Sequence, residues 1–351
     1  MTAHVAEIIV PAILTFVVGI FGAPALTKVL YEQGMWKKKS VARATDGGTS
    51  SVTQKIHNDE ERKTPRMGGI VVWGSVALVA LIILVLAVAT DNPALLSLSF
   101  ISRSQTWLPL VALMAGGLVG MIDDYLVCKG AGAYVGGGLS LRLRLLFVTL
   151  VAVIGAWWFY IKLGTDSILV PGFGVAHLGV WFIALFVAVI LGLYSGGIID
   201  GVDGLSGGVF SIMFASYGII ALSEMQFDLA AFCLAVVGGL LAFLWYNIPP
   251  ARFFLSETGS MGLTITLGIV AFLSGHVLEL GLIALPLIVT TLSSVIQLLS
   301  KKFRNGKRVF LVAPLHNHFQ AKGWPPYKVT MRYWVVSIVT GFAGVILALF
   351  G

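Results

Sequence analysis

Long apolar runs separated by short polar ones repeat along the whole chain. Ten stretches of spanning length fall at about 7–30, 67–90, 107–127, 143–163, 177–197, 205–223, 229–247, 260–277, 280–300 and 330–350. A bilayer core needs roughly 20 helical residues, so each is read as a transmembrane helix. The division within 260–300 rests on Gly275, Glu279 and Gly281, and Pro286 is expected to kink its second member. Residues 164–176 alternate apolar positions with Gly and Pro and predict a small hairpin. The first run lacks a basic leader and is read as a span, not a cleaved signal peptide. The pattern as a whole predicts an all-α polytopic membrane protein: one integral membrane domain, 1–351, of about ten helices.

Composition agrees. Of 351 residues, 58% are hydrophobic and only 11% charged, the profile of a membrane protein rather than a globular one. Cys128 and Cys233 stand in different segments with no framework spacing, which argues against a disulfide scaffold or a zinc site. A net charge of +7 would suggest nucleic acid in a soluble protein; here it reflects basic loops, and no nucleic-acid partner is expected. All but Arg103 and Lys162 of the 23 Lys and Arg residues fall on one side of the predicted topology, chiefly in 32–66 and 301–332. The positive-inside rule makes that side cytoplasmic and places both termini outside. The acids cluster at span ends on the cytoplasmic side, and none sits at mid-bilayer, unlike the midplane ion sites of transporters. Chemistry at the membrane surface, between a soluble anion and a lipid, is the better expectation.

Four polar segments converge on the cytoplasmic face. Lys63-Thr64-Pro65-Arg66-Met67-Gly68-Gly69 combines cations suited to phosphate with a turn that lets backbones approach closely, although taken alone it reads more readily as a positive-inside anchor. Asp123-Asp124-Tyr125 places two adjacent carboxylates at a membrane boundary, where a divalent cation, most naturally Mg²⁺, would relieve their repulsion; a solvated pair beyond a helix end is the plainer alternative. Asp200-Gly201-Val202-Asp203-Gly204-Leu205 interleaves acids with glycines whose amides suit a nucleotide or phosphate. A glycine-rich turn with an N-capping Asp would explain one of those acids but not both. The fourth segment, 247–260, begins at Asn247 and offers Phe254 for stacking on a nucleobase and Glu257 for the metal cluster, against simple interfacial anchoring. A fifth segment brings His316 and His318, with no further Cys or His nearby, so phosphate contact is preferred to zinc.

At these residues a resemblance becomes specific. Asp123-Asp124-Tyr125, Asp200 to Leu205, Gly306-Lys307-Arg308-Val309-Phe310 and the run from Pro314 to Pro325 resemble the phospho-N-acetylmuramoyl-pentapeptide transferases. These are the MraY type among the polyprenyl-phosphate N-acetylhexosamine-1-phosphate transferases, and the match covers essentially the whole chain. The resemblance implies a bacterial plasma-membrane enzyme with its site on the cytoplasmic face. It would transfer phospho-MurNAc-pentapeptide from UDP-MurNAc-pentapeptide to undecaprenyl phosphate with Mg²⁺, giving lipid I and UMP, and would leave room for a homodimer. Carried over by position, Asp123, Asp124 and Asp200 with His318 form the catalytic set, and Asp123, Asp124, Asp200 and Glu257 hold the metal. Gly201, Val202 and Asp203 with Asn247, Phe254, Lys63, Arg66 and His316 face the nucleotide substrate. The chain also departs from the family pattern: Glu257 stands for Asp, Gly197 for Asn, Arg66 for Thr, Arg144 for Lys, Asn317 for His and Gln320 for Glu. Another UDP-N-acetylhexosamine donor, a non-catalytic relative and a transporter are the competing expectations.

Overall fold

The computed structural model describes residues 2–37, 63–101, 104–132 and 137–351. Lys38, Lys39, Arg43, Lys55, Arg62 and Arg103, on which part of the charge bias rests, lie outside the described residues. The long helices are α1 (Thr2–Glu32), α2 (Gly69–Thr90), α4 (Ser104–Lys129), α5 (Leu141–Trp157), α6 (Trp181–Ser195), α7 (Leu205–Ser223), α8 (Phe227–Asn247), α9 (Ser256–Leu273), α11 (Leu285–Phe303) and α13 (Pro326–Phe350). Short helices α3 (Pro93–Ser97), α10 (Leu280–Ile283) and α12 (Leu315–Ala321) lie in the connections. The expected hairpin is present: β1 (Ser167–Val170) pairs antiparallel with β2 (Gly174–His177), Ser167 opposite His177 and Val170 opposite Gly174.

Among the described residues nine helices are long and apolar enough to cross a membrane, not ten. The difference lies at 280–300, where α10 splits off and the 19-residue α11 is long enough but, with Gln297, Lys301, Lys302 and five Ser and Thr, too polar. Helix α11 is inside out. Beyond Pro286 and Leu287 its buried positions are Thr290, Ser293, Gln297 and Ser300, at steps of three and four, whereas Ile288, Val289, Leu292, Val295, Ile296 and Leu299 are exposed. A helix surrounded by lipid gains nothing from pointing leucines inward, so its polar stripe can face protein partners. Pro286 does not kink it; the residue sits in the first turn, where its missing N–H has no helical partner to lose.

Helix α9 is the hub. Along α9 89% of residues are buried, against 28% in the most apolar stretch of α13, so α9 lies inside the bundle and α13 at its rim. Small residues let it approach its neighbours at backbone distance. A Cβ on Gly116 of α4 would come within 2.7 Å of Gly262 Cα, and one on Gly120 would enter the backbone of Glu257. On the α2 side, Gly69 lies against Gly259 in the same way. Glycine at these positions fixes how near the α4 acid pair comes to the start of α9.

Candidate active site

The site is built around the N-terminus of α9, where backbone N–H groups lack helical partners and the helix dipole favours negative charge. Two carboxylates take them. Asp200 Oδ2 accepts from the Ser256 N–H at 2.6 Å, and Asp124 Oδ2 accepts from the Thr258 N–H at 2.9 Å and the Thr258 hydroxyl at 2.6 Å. Ser206, in the first turn of α7, donates its hydroxyl to Asp200 Oδ1 at 2.6 Å. Ser256 has φ +56°, a left-handed conformation that side chains rarely adopt, and its hydroxyl is buried without a hydrogen-bond partner. Asp200 and Asp124, 76 positions apart in sequence, are thus brought to the same helix end. Burial pushes the Asp200 carboxyl above its ordinary range, against the pull of its hydrogen bonds to Ser206 and Ser256.

Two arginines answer the acids. Arg66 Nε donates to Asp124 Oδ1 at 2.8 Å. Arg144 lies between two acids, with Nε 3.1 Å from Asp123 Oδ1 and an Nη donating to Glu257 Oε1 at 2.9 Å. Asp124 lifts the Arg66 guanidinium further above its usual range, so it stays charged. The turn before α5 closes over Asp123: the Leu139 N–H donates to Oδ1 at 2.6 Å, and Gly138 has φ +94°, where a Cβ would lie 2.8 Å from that oxygen. Four carboxyl groups thus face two guanidinium groups in this cluster. Asp123 Oδ2 is buried with no hydrogen-bond partner.

The remaining expected residues divide into those that line the site and those that hold it together. Phe254 is half-buried, whereas Phe253 is fully buried against Phe243 and Tyr246. Segments 65–69 and 254–255 clasp each other through Phe254 N–H to Pro65 C=O, Gly68 N–H to Phe254 C=O and Gly69 N–H to Leu255 C=O. The paired glycines therefore give the expected close approach, but their amides serve protein carbonyls rather than a phosphate. Lys63 is exposed at the edge of this segment. Asn247, expected to face the nucleotide, uses both ends of its amide internally: Oδ1 accepts from Gly204 N–H and Nδ2 donates to Phe253 C=O, both at 2.8 Å. Asp203 Oδ2 accepts from Ala251 N–H at 3.0 Å. The Asp203-Gly204 turn is held from α13 as well, by the Thr330 hydroxyl and the Trp334 indole N–H. Gly201 and Val202 are half-buried in this turn.

His316 is buried against Gly201, where a Cβ would lie 2.5 Å from its Nε2. His318 instead accepts the Leu311 N–H on Nδ1 at 3.1 Å and packs against Phe310 and Phe319. Burial, and then Lys322, hold its pKa below the ordinary value, so it is a neutral imidazole at pH 7. The contacts of His318 given by the structure are within 310–322 rather than with the acids. Gln297 of α11 splints this segment, its Oε1 accepting from Val309 and Phe310 N–H and its Nε2 donating to Phe310 C=O. Ser206, Thr258 and Gln297 have no distinguishing local pattern, and only the fold reveals them.

A family model described as Glycosyl transferase family 4 matches residues 106–275, the stretch from α4 to just beyond α9. A phospho-N-acetylmuramoyl-pentapeptide-transferase of Levilactobacillus brevis is 34% identical over 290 residues, 82% of this chain and 85% of the relative. The Chloroflexus aggregans protein of the same name is 30% identical over 348 residues, 94% of this chain and 89% of its own length. That of Geobacillus sp. is 32% identical over 302 residues, 84% and 87% of the two chains. On that identity and coverage, the chain is a multi-pass membrane transferase that belongs to the phospho-N-acetylmuramoyl-pentapeptide-transferase family.

Proposed function

We propose that the protein transfers phospho-MurNAc-pentapeptide from UDP-MurNAc-pentapeptide to undecaprenyl phosphate on the cytoplasmic face of the bacterial plasma membrane, with Mg²⁺, forming lipid I and UMP. The observation that carries this reading is the junction at the start of α9, where Asp124, Asp200 and Glu257 meet beside the half-buried Phe254. Phosphoryl transfer asks little covalent chemistry of a protein; it asks for positioning and for neutralisation of spreading negative charge.

The residues present fit a divalent cation. Among the described residues no three His, Cys, Asp or Glu side chains form a ready-made cage. Mg²⁺ needs none, since it is commonly held by one or two carboxylates together with waters and substrate phosphates. Asp123, through its unpartnered buried Oδ2, and Glu257 would hold it. When bound, the ion neutralises phosphate charge that the two arginines leave uncompensated. Asp124 and Asp200, whose oxygens are already bonded to protein donors, act chiefly by fixing the α9 terminus and Arg66 in place.

A phosphate monoester with a second pKa near about 6 is mostly dianionic at neutral pH, so the acceptor needs little help in losing its proton. Its oxygen attacks the phosphorus attached to the sugar. The bond from that phosphorus to the bridging oxygen breaks, and the electron pair leaves with UMP. Phe254 stacks on uracil, and the Asp203-Gly204 turn, set by Asn247 and Trp334, borders the nucleotide.

Arg66, Arg144 and Glu257 favour keeping one rival, a different UDP-N-acetylhexosamine donor, because all three depart from the family pattern inside the charge cluster. The test is a donor panel on purified protein with undecaprenyl phosphate, with and without a chelator. UMP release that requires UDP-MurNAc-pentapeptide and stops on chelation supports the proposal. Release only from UDP-N-acetylglucosamine moves the assignment to the rival, and release unaffected by chelation removes Mg²⁺ from it.

A further inference from the structure

We infer that Arg66 is a phosphate-binding residue, one that grips a phosphoryl oxygen of a substrate while its other edge is pinned by Asp124. The inference rests on the transferase reading above and deepens it.

The guanidinium group carries five N–H donors in a planar fork. Only Nε–H is used, by Asp124 Oδ1 at 2.8 Å; among the described residues the two Nη groups have no hydrogen-bond partner. A mere counter-ion would be expected to use the two-pronged geometry that arginine and carboxylate share. Asp124 cannot offer it, because its second oxygen is already taken by the N–H and hydroxyl of Thr258. Among the described residues the fork is therefore held by one prong, with its four Nη donors uncommitted. With its side chain 26% exposed, the group is reachable from solvent, whereas the Asp124 side chain is 0% exposed.

Its backbone is fixed on both flanks. Arg66 N–H donates to Met35 C=O at 2.8 Å, Pro65 C=O accepts from Phe254 N–H at 2.9 Å, and Gly68 N–H donates to Phe254 C=O at 2.8 Å. Met67 has φ +72°, a conformation that non-glycine residues adopt only when their surroundings impose it. An immobilised cation that needs little reordering to meet an oxyanion suits phosphate better than a mobile lysine would. Such a cation also contributes positive charge to the site without being a metal ligand. Lys63 is exposed three positions upstream on the same segment.

Two phosphates can meet this fork: the diphosphate of the nucleotide donor and the monophosphate of the polyprenyl acceptor. The experiment uses full-length protein in detergent carrying Arg66→Gln or Arg66→Lys, with thermal melts confirming that each is folded. Calorimetric titration with UDP and with uridine forms one arm, and the KM for undecaprenyl phosphate forms the other. If the fork holds the donor, Arg66→Gln weakens UDP about tenfold or more while uridine affinity is unchanged. If it holds the acceptor, UDP affinity stays and the KM for undecaprenyl phosphate rises by a similar factor. In either case Arg66→Lys recovers part of the loss, since it restores charge without the fork. Unchanged values in both arms overturn the inference and leave Arg66 as the counter-ion of Asp124 alone. Wild-type protein that neither binds UDP nor turns over would instead sink the transferase reading itself, and the inference with it.

Discussion

At the level of single residues, Asp124 is held at both oxygens, by Arg66 and by the N–H and hydroxyl of Thr258. Asn at this position has one acceptor oxygen for two sets of donors and turns its N–H₂ toward either Arg66 or Thr258, so one of them loses its partner. Asp124→Asn should therefore lower UMP release by about a hundredfold or more while the helix content by circular dichroism is retained. A near-normal rate would refute its assigned place. Gly120 tests the spacing. Its missing Cβ is what lets the acid pair approach Glu257, so Gly120→Ala should cost about 1–3 kcal/mol of stability, read as a lower Tm in detergent, with activity falling in parallel. The acid pair and the Asp200-Gly201-Val202-Asp203 segment were legible in the sequence because carboxylates at a membrane boundary demand an explanation. The partners of these acids were not. Arg66 and Arg144 read locally as topogenic charge, and their pairing with Asp124, Asp123 and Glu257 exists only after distant segments are packed together. Nor were the partners of Asn247 legible: both ends of its amide are engaged, with Gly204 and Phe253, which lie 43 and 6 positions away in sequence.

Among the elements, α11 carries the clearest prediction. Apolar length alone made it a span. Its periodicity assigns the faces, but the buried stripe is the polar one, contrary to the rule for helices in water. Gln297 in that stripe holds Val309 and Phe310 through three hydrogen bonds. Gln297→Leu leaves those backbone groups unpaired, which should loosen the neighbouring loop. Trypsin should then cut at Lys307 and Arg308 faster than in the wild type, whereas Leu292→Ala on the exposed face should leave the cleavage rate as it was. Equal rates in all three proteins would show that the splint does not hold the loop. The hairpin at 167–177 and the limits of α7 matched the sequence reading closely, because Gly, Pro and polar punctuation mark them sharply. The break at 280–285, marked in the sequence by Gly281 and Pro286, packs against α13, where Gly344 meets Ile283.

For the whole molecule, the far end of α9 carries a second polar cluster. Eighteen residues of helix separate it from the acids, about 27 Å at 1.5 Å per residue. Buried His276 donates or accepts at Glu279 Oε1, 2.9 Å away, and at Glu224 Oε1, 3.3 Å away, while the Tyr217 hydroxyl donates to its carbonyl. The hydrogen bond to Glu279 raises the His276 pKa above its ordinary value, although burial opposes it. A histidine with a raised folded-state pKa stabilises the protein below its unfolded value of about 6.5, and that stabilisation is lost as pH rises through the folded value. Tm should accordingly fall as pH rises from below about 6.5 to above the raised value, and His276→Gln should flatten the dependence. An unchanged slope would remove His276 from the explanation. At the other end of the helix lies the proposed phosphotransfer site, with its acids, arginines and Phe254. The direct measurement is product stoichiometry in purified protein supplied with UDP-MurNAc-pentapeptide, undecaprenyl phosphate and Mg²⁺. The account predicts UMP and a lipid-linked MurNAc-pentapeptide diphosphate in equal amounts; uridine binding with neither product, under any divalent cation, would contradict it.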